Sequence, residues 1–323
     1  MPTRVAVLDD YQAVAQSYAD WGGLPDTEVR FFHDHLDDED ALVDRLVGFD
    51  VLVLMRERTP LRRSLLARLP KLRLAVTTGM RNASIDLEAA REYGVVVCGT
   101  QGSAAATTEL AWALILSLVR HIPAEDAAIR AGGWQHTVGT DLAGATLGLL
   151  GLGRLGRAMV PVARAFGMDV IAWSQNLTDQ AAAEAGATRV DKDELFARSD
   201  VLSIHLVLSD RTRGLVGARE LALMKPTAYL VNTSRGPIVD EQALLTALRE
   251  GRIAGAGLDV FDREPLPTDH PLRQAPRTVL TPHIGFVTHR TYAQWYVGAV
   301  EAIAAFLEGR PINVLNLAPT PSG

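Results

Sequence analysis

The chain has 323 residues, of which 48% are hydrophobic and 22% charged, with a formal net charge of −6. That length suits two domains rather than one core, and that apolar content excludes a disordered chain. The acidic balance leaves no footprint for nucleic acid or an anionic membrane, and a single cysteine, Cys98, excludes an internal disulfide framework.

No apolar run is long enough to cross a bilayer; the most apolar helical stretch, residues 110–119, is too short. The first expected strand begins almost at the N-terminus, so no targeting segment is expected, and the cytoplasm is the expected compartment.

Residues 4–8 read as a buried strand, followed by a helix over 11–21 and a second strand over 28–32. Residues 37–48 open with acids, as the positive end of a helix dipole prefers, and predict a helix. Strands follow at 51–55, 72–77 and 95–97, with helices at 61–69 and 86–93. Most of these strands are largely apolar, those at 51–55 and 95–97 throughout. That pattern predicts a parallel sheet covered on both faces. Residues 1–100 are thus one α/β unit, without a glycine fingerprint for phosphate. Cys98 falls in an apolar run and reads as a small core residue.

A long apolar helix is expected over 104–121, and an irregular connection over 132–144. A second α/β unit begins at 145. Its strands are expected at 146–150, 170–173, 201–205, 228–232, 254–259 and 278–281. Its helices are expected at 157–166, 180–185, 191–198, 217–224 and 241–250. A long helix over 292–309 closes the chain, and residues 319–323 are expected to fray.

The stretch after the strand at 146–150 fits G-x-G-x-x-G, with Gly151, Gly153 and Gly156 between a strand and a helix. The order has a physical reason. The first glycine allows a tight turn, the second lets a pyrophosphate approach the backbone, and the third lets the helix pack closely on the sheet. A dinucleotide is the expected ligand.

Three further places set polar residues after an apolar strand, where ligands bind in open parallel sheets. They are Asn232-Thr233-Ser234-Arg235-Gly236, then Asp259 with Glu264 before Pro265, then Thr281-Pro282-His283-Ile284-Gly285. Singly each is weak. A lone histidine at a strand end is more often structural, and a lone arginine more often a solvated charge. Together, behind a dinucleotide fingerprint, they match the needs of hydride transfer to a 2-oxo acid: a cation for the carboxylate, an acid for the forming alkoxide, and a partner that keeps the acid charged.

With these motifs in order, the chain resembles the D-isomer-specific 2-hydroxyacid dehydrogenases, whose members include phosphoglycerate, glycerate and hydroxypyruvate enzymes. The resemblance runs over nearly the whole chain. It rests on the glycine stretch, on His205 with Thr212 and Gly217, on Asn232 to Gly236, on Gly257-Leu258-Asp259 with Glu264-Pro265, and on Pro282-His283-Ile284-Gly285. It implies an α/β fold of two Rossmann-like or flavodoxin-like parallel-sheet domains with a cleft between them. Residues 1–100 and 290–323 would form a discontinuous substrate domain, and residues 101–289 an NAD(P)-binding domain. It implies Arg235 as carboxylate anchor, His283 as acid/base and Glu264 as its orienter, with no metal. It implies a cofactor site drawn from Thr107, Gly151, Gly153, Arg154, Leu155, Gly156, Ser174, Gln175, His205, Val207, Thr212, Thr233, Ser234, Arg235, Asp259, His283 and Gly285. It also implies a homodimer through the helix at 104–121 and the arm around Trp134. The partners expected are a small 2-oxo or 2-hydroxy acid and NAD or NADP, with neither nucleic acid nor membrane.

The chain departs from the family pattern in several places. Ser174-Gln175-Asn176 stands where an acid usually meets the adenosine ribose. No acid repels a 2′-phosphate and no arginine attracts one, so both dinucleotides stay open, with a lean to NAD. Val207 replaces a common proline. The loop Thr78-Gly79-Met80-Arg81-Asn82-Ala83 replaces a commoner glycine-rich sequence whose backbone N–H groups receive the substrate carboxylate. Gly79, Met80 and Arg81, with Arg56, are therefore candidate substrate contacts beside Arg235 and His283. Two arginines there raise the expectation of a substrate with a second anionic group. Phe286 is expected to narrow the pocket. The alternative to an enzyme is a dinucleotide-sensing transcriptional corepressor of the same fold.

Overall fold

The computed structural model describes residues 1–103 and 105–317. The expected frayed tail at 319–323 and the first residue of the expected 104–121 helix lie outside the described residues. The chain divides into two compact units, Met1–Ser103 with Val287–Gly323, and Ala104–Phe286.

The first unit alternates strand and helix: β1 (Thr3–Val7), α1 (Ala15–Tyr18), β2 (Thr27–Phe31), α2 (Glu39–Leu46), β3 (Val51–Leu54), α3 (Arg63–Leu66), β4 (Leu74–Thr77), α4 (Leu87–Glu92) and β5 (Val96–Gly99). The five strands form one sheet in the order β2-β1-β3-β4-β5, and every pair is parallel. This is the flavodoxin-like order, whose reversal lies between β1 and β3. β3 and β4 are buried at every position, which is why they read as unbroken apolar runs. Asp38 and Asp86 cap α2 and α4 by accepting the N–H of Ala41 and Ala89.

The second unit holds α5 (Ala105–Val119), α6 (Ile122–Arg130), β6 (Thr146–Leu150), α7 (Arg154–Ala165), β7 (Asp169–Trp173), α8 (Asp179–Glu184), β8 (Thr188–Arg189), α9 (Lys192–Arg198), β9 (Val201–Ile204), α10 (Ala218–Leu223), β10 (Tyr229–Asn232), α11 (Glu241–Arg249), β11 (Gly255–Leu258) and β12 (Thr278–Leu280). Its seven strands run β12-β11-β10-β9-β6-β7-β8, all parallel. Read from the β8 edge, this is the doubly wound dinucleotide-binding order with a seventh strand added. Each face of the sheet carries its own apolar core. One gathers Phe196, Leu230, Leu245 and Leu258; the other gathers Trp112, Ile115, Leu149 and Met159.

α12 (His289–Leu307) then returns the chain to the first unit. Thr288 caps it, and Tyr292, Trp295, Tyr296, Ala299, Ala302 and Ile303 are buried at helical spacing on one face. Beyond it, residues 313–316 cover the outer edge of β5. Leu315 donates to the Val97 carbonyl, and the Asn316 side chain bonds the backbone of Val95 and Val97. A covered edge cannot template pairing with another chain.

The structure differs from the sequence expectation in four elements. The helix expected over 11–21 is a four-residue turn, α1, followed by a 3-10 turn over Trp21–Gly23. The helix expected over 61–69 shrinks to α3. Residues 122–130, given no element from sequence, form α6, none of whose residues is buried. β8 is two residues long and exposed. Cys98 is buried in β5, and burial pushes its thiol up to about 11, as a core residue requires. Among the described residues no helix is long and apolar enough to cross a membrane.

Candidate active site

The seven parallel strands of the second unit end on one edge of their sheet, and their order reverses between β6 and β9. Ligands bind beyond the strand ends at such a reversal. The glycine turn leaves β6 there. Gly151 has φ 105°, and a Cβ on it would lie 2.7 Å from the His205 carbonyl oxygen. A Cβ on Gly156 would lie 2.1 Å from the Gly151 carbonyl oxygen, so α7 packs this near β6 only without a side chain. A Cβ on Gly153 would meet nothing within 4 Å.

Gly153 therefore opens onto space. As N-cap of α7 it makes no side-chain cap bond, which leaves the first-turn N–H groups of Arg154, Leu155 and Gly156 for a ligand. The cradle fits a dinucleotide pyrophosphate.

Two buried polar atoms nearby have no hydrogen-bond partner among the described residues, His205 Nδ1 and Thr233 Oγ1. Orphaned groups of this kind fit a site that a ligand completes. His205 Nε2 lies 2.9 Å from Ser203 Oγ, and burial pushes the imidazole down to about 4, so it is neutral at pH 7. Ser174 and Gln175 follow β7. Val207 and Thr212 follow β9, where the Thr212 hydroxyl donates to the Val207 carbonyl (2.7 Å) and accepts the Ser209 N–H. Thr107, on the first turn of α5, lies against Gly285: a Cβ on Gly285 would sit 3.4 Å from Thr107 Cγ2.

Three consecutive strand ends, those of β10, β11 and β12, carry the remaining polar groups. After β10, the Asn232 side chain brackets the turn. Its Oδ1 accepts the Ser234 N–H and its Nδ2 donates to the Arg235 carbonyl, both at 3.0 Å, while the Ser234 hydroxyl donates to Ile204 O. The Arg235 guanidinium donates to the Ser234 carbonyl at 2.6 Å. Gly236 brings this turn onto the next, because a Cβ there would lie 2.1 Å from the Phe261 carbonyl carbon.

After β11 come Asp259 and Glu264. Asp259 is fully buried and accepts three hydrogen bonds: from the Thr281 hydroxyl (2.6 Å), the Ile284 N–H (2.8 Å) and the Gly285 N–H (2.9 Å). Burial pushes its carboxyl up, and these donors oppose the push. Sequence reasoning placed Asp259 against the cofactor. In the structure both its oxygens are engaged by the turn around His283.

After β12, His283 sits at φ 53°, a left-handed conformation uncommon for a residue with a side chain. Its Nδ1 is hydrogen-bonded to Glu264 Oε2 at 2.5 Å, and Glu264 Oε1 accepts the Phe261 N–H at 2.9 Å. Glu264 is thus held at both oxygens, and the histidine's Nε2 is left for other partners. The Phe286 ring stands edge-on to the imidazole at 5.4 Å.

Comparison with known proteins places the chain in a family. The family model for the D-isomer specific 2-hydroxyacid dehydrogenase NAD binding domain matches residues 112–285. The chain belongs to the D-isomer specific 2-hydroxyacid dehydrogenase family. It is 42% identical over 263 residues to a glyoxylate reductase from Aeropyrum pernix, covering 78% of each chain. It is 37% identical to a D-3-phosphoglycerate dehydrogenase from Methanocaldococcus jannaschii, over 88% of this chain and 55% of that one. Among solved structures, a phosphoglycerate oxidoreductase from Vibrio cholerae superposes with a TM-score of 0.91 at 38% identity, over 96% of this chain and 100% of the other. This dehydrogenase is accordingly an NAD(P)-dependent oxidoreductase acting between 2-hydroxy and 2-oxo acids.

In the dehydrogenase's first unit, Arg56 follows β3 and the Gly79 loop follows β4. The N–H of Gly79, a candidate substrate contact, donates to the Thr100 hydroxyl at 3.0 Å. Arg56, another candidate, donates to the carbonyls of Thr78 (3.1 Å) and Arg81 (3.4 Å). Met80 and Arg81 are exposed.

Sequence reasoning missed the positioning roles of Asn232, Gly236, Thr281 and Thr100. Only Asn232 carried a local signal, as an Asx-type residue opening a Ser/Gly turn. The others act across long sequence separations.

Two glycines separate fold from binding. Gly153→Ala is expected to keep its urea midpoint while NADH binding weakens by about 1–2 kcal/mol in a fluorescence titration. Gly156→Ala is expected to lose on the order of 1–3 kcal/mol of stability; equal stability for the two variants contradicts the assignment.

His205 generates a pH prediction. Its folded value is pushed down to about 4, while the unfolded chain titrates near 6.5. The unfolded state therefore binds the extra proton first, and stability falls as pH drops from about 6.5 towards about 4, by on the order of 1–3 kcal/mol. Melting curves across that window are expected to fall less steeply for His205→Gln than for the wild type; parallel curves refute it.

Proposed function

We propose that the protein reduces small 2-oxo acids to D-2-hydroxy acids, with His283 as acid/base, Glu264 as its orienter and Arg235 as the carboxylate anchor. The observation that carries the reading is the His283–Glu264 pair, in which Glu264 is also fixed by the Phe261 N–H.

The carboxylate accepts the Nδ1 proton, so Nε2 faces the reacting oxygen. Protonated there, His283 donates to the carbonyl oxygen as its carbon is reduced, and takes the proton back in the reverse direction. Arg235 holds the substrate carboxylate, which fixes the face and distance of the carbonyl. A bound nicotinamide would supply the hydride; the first-turn N–H groups of α7, with Thr233 and His205, would hold the dinucleotide. NAD is proposed over NADP because no base follows β7 to receive a 2′-phosphate.

His283→Ala and Glu264→Gln are expected to lower kcat by about 10²–10⁴ with little change in NADH Kd. Arg235→Gln is expected to act on the KM for the 2-oxo acid. A steady-state grid of NADH and NADPH against glyoxylate, hydroxypyruvate and bulkier 2-oxo acids checks both the substrate class and the dinucleotide. Equal losses in kcat and cofactor affinity for His283→Ala sink the acid/base role.

The reading extends to a homodimer through the face formed by α6 and the Trp134 arm. Ile122 and Ile129 are 51% and 55% exposed, and Trp134 is 72% exposed. They line an open groove of about 540 Å³ with Arg120, Glu125 and Asp126. Apolar groups gathered in this way mark an association surface. Sedimentation is expected to give a dimer that Trp134→Glu disrupts; a monomeric wild type refutes it.

A further inference from the structure

We infer that Arg56 is a positioning residue that clamps the 78–81 turn, not a receptor for a second anion, and that the substrate is accordingly a 2-oxo acid with an uncharged tail. The inference rests on the proposed reductase function and deepens it.

Arg56 sits at the end of β3 with φ 52°, and its N–H donates to the Thr78 hydroxyl at 2.8 Å. This left-handed backbone turns the side chain along the loop. Its Nη1 donates to the carbonyls of Thr78 and Arg81, so both ends of the turn hang on one nitrogen. The guanidinium lies directly over Gly79: a Cβ there would fall 2.0 Å from Nη1. The Arg56 carbonyl in turn accepts from Asn82 Nδ2 at 2.6 Å, and the same nitrogen donates to the Thr77 hydroxyl at 2.9 Å. From the other side the Gly79 N–H is held by Thr100, which is 1% exposed. The turn is gripped at its carbonyls by Arg56 and at the Gly79 N–H by Thr100.

Charge points the same way. Glu57 Oε1 faces Arg56 Nη2 at 3.4 Å, and both side chains are largely covered, at 20% and 19% exposure. The pair is close to neutral as a unit. The guanidinium also lies over the Trp295 ring at 5.8 Å. A cation whose fork is occupied by two carbonyls and a carboxylate has little left for a phosphate. Receiving one would mean breaking those bonds, including the one to the carbonyl of buried Thr78.

The experiment compares kcat/KM for glyoxylate, hydroxypyruvate and phosphohydroxypyruvate in the wild type, Arg56→Gln and Arg56→Lys. The wild type is expected to favour the uncharged tails. Arg56→Gln is expected to raise KM for all three by about tenfold or more, with kcat and NADH Kd little changed and the ratio among acids preserved. Arg56→Lys is not expected to rescue, because an ammonium lacks the fork, whereas it would largely rescue a phosphate receptor. A wild-type preference for phosphohydroxypyruvate that Arg56→Gln erases and Arg56→Lys restores overturns the inference.

Gly79→Ala provides a second route. Its methyl displaces the guanidinium, and its KM defect is expected to be non-additive with Arg56→Gln; full additivity counts against the clamp. Hydrogen exchange of the peptide spanning residues 78–82 separates the two levels of the argument. Faster exchange in Arg56→Gln supports the clamp even where no 2-oxo acid is reduced, an outcome that would overturn the proposed reaction and the substrate class together. Unchanged exchange overturns the clamp.

Discussion

The buried Asp259 carboxylate governs the geometry around His283. Its two oxygens take the hydroxyl of Thr281 and the N–H groups of Ile284 and Gly285, donors that stand on either side of residue 283. Removing the carboxylate would leave these groups without their acceptor, at about 1–3 kcal/mol for each that stays buried. That penalty fixes the turn, and the turn holds His283 at a positive φ that an isolated chain would avoid. Strain of this kind persists only where surrounding contacts over-determine it. Asp259 supplies the over-determination, and the imidazole is delivered to Glu264 as a result.

The sheet order then decides which groups share an edge. β10, β11 and β12 lie side by side and parallel in the sheet, so the turns that follow them are neighbours on one edge. Gly236 closes the remaining gap, since the turn bearing Arg235 lies against the Phe261 and Asp262 backbone with no room for a methyl group. The Phe261 N–H on that same stretch orients Glu264. A short chain of contacts therefore links the arginine turn to the carboxylate that holds the histidine. The glycine cradle stands elsewhere on the edge, at the reversal between β6 and β9, where the diverging loops leave space beyond the strands.

Much of this was legible in the sequence, for a definite reason. Parallel strands covered on both faces are mostly apolar, so their C-terminal ends are marked by the polar residues that close or follow them. Asn232, Asp259 and His205 each mark such an end. Helix α6 was not legible, because none of its residues is buried and Ile122 and Ile129 are its only large apolar side chains. α1 and α3 were read as too long because their apolar residues pack in turns rather than in helix. The site was legible in its residue types and not in its connections. Thr100 and Gly79 lie 21 positions apart, and Asp259 and Gly285 lie 26 apart. Nothing local announces either bond. An arginine read from sequence is a positive charge; only the fold shows that Arg56 donates to carbonyls 22 and 25 positions away.

The two units place charge at their strand ends in different ways, and this bears on selectivity. The second unit concentrates an arginine and a histidine–glutamate pair at adjacent strand ends, groups suited to a carboxylate and a moving proton. The first unit, at the end of β3, turns Arg56 onto the backbone and pairs it with Glu57, so that what this arginine fixes is the shape of a turn. Fixed shape discriminates by fit. A methylene more or less in a fitted pocket is worth only about 1–3 kcal/mol, whereas a charge met by a dedicated partner separates substrates far more sharply.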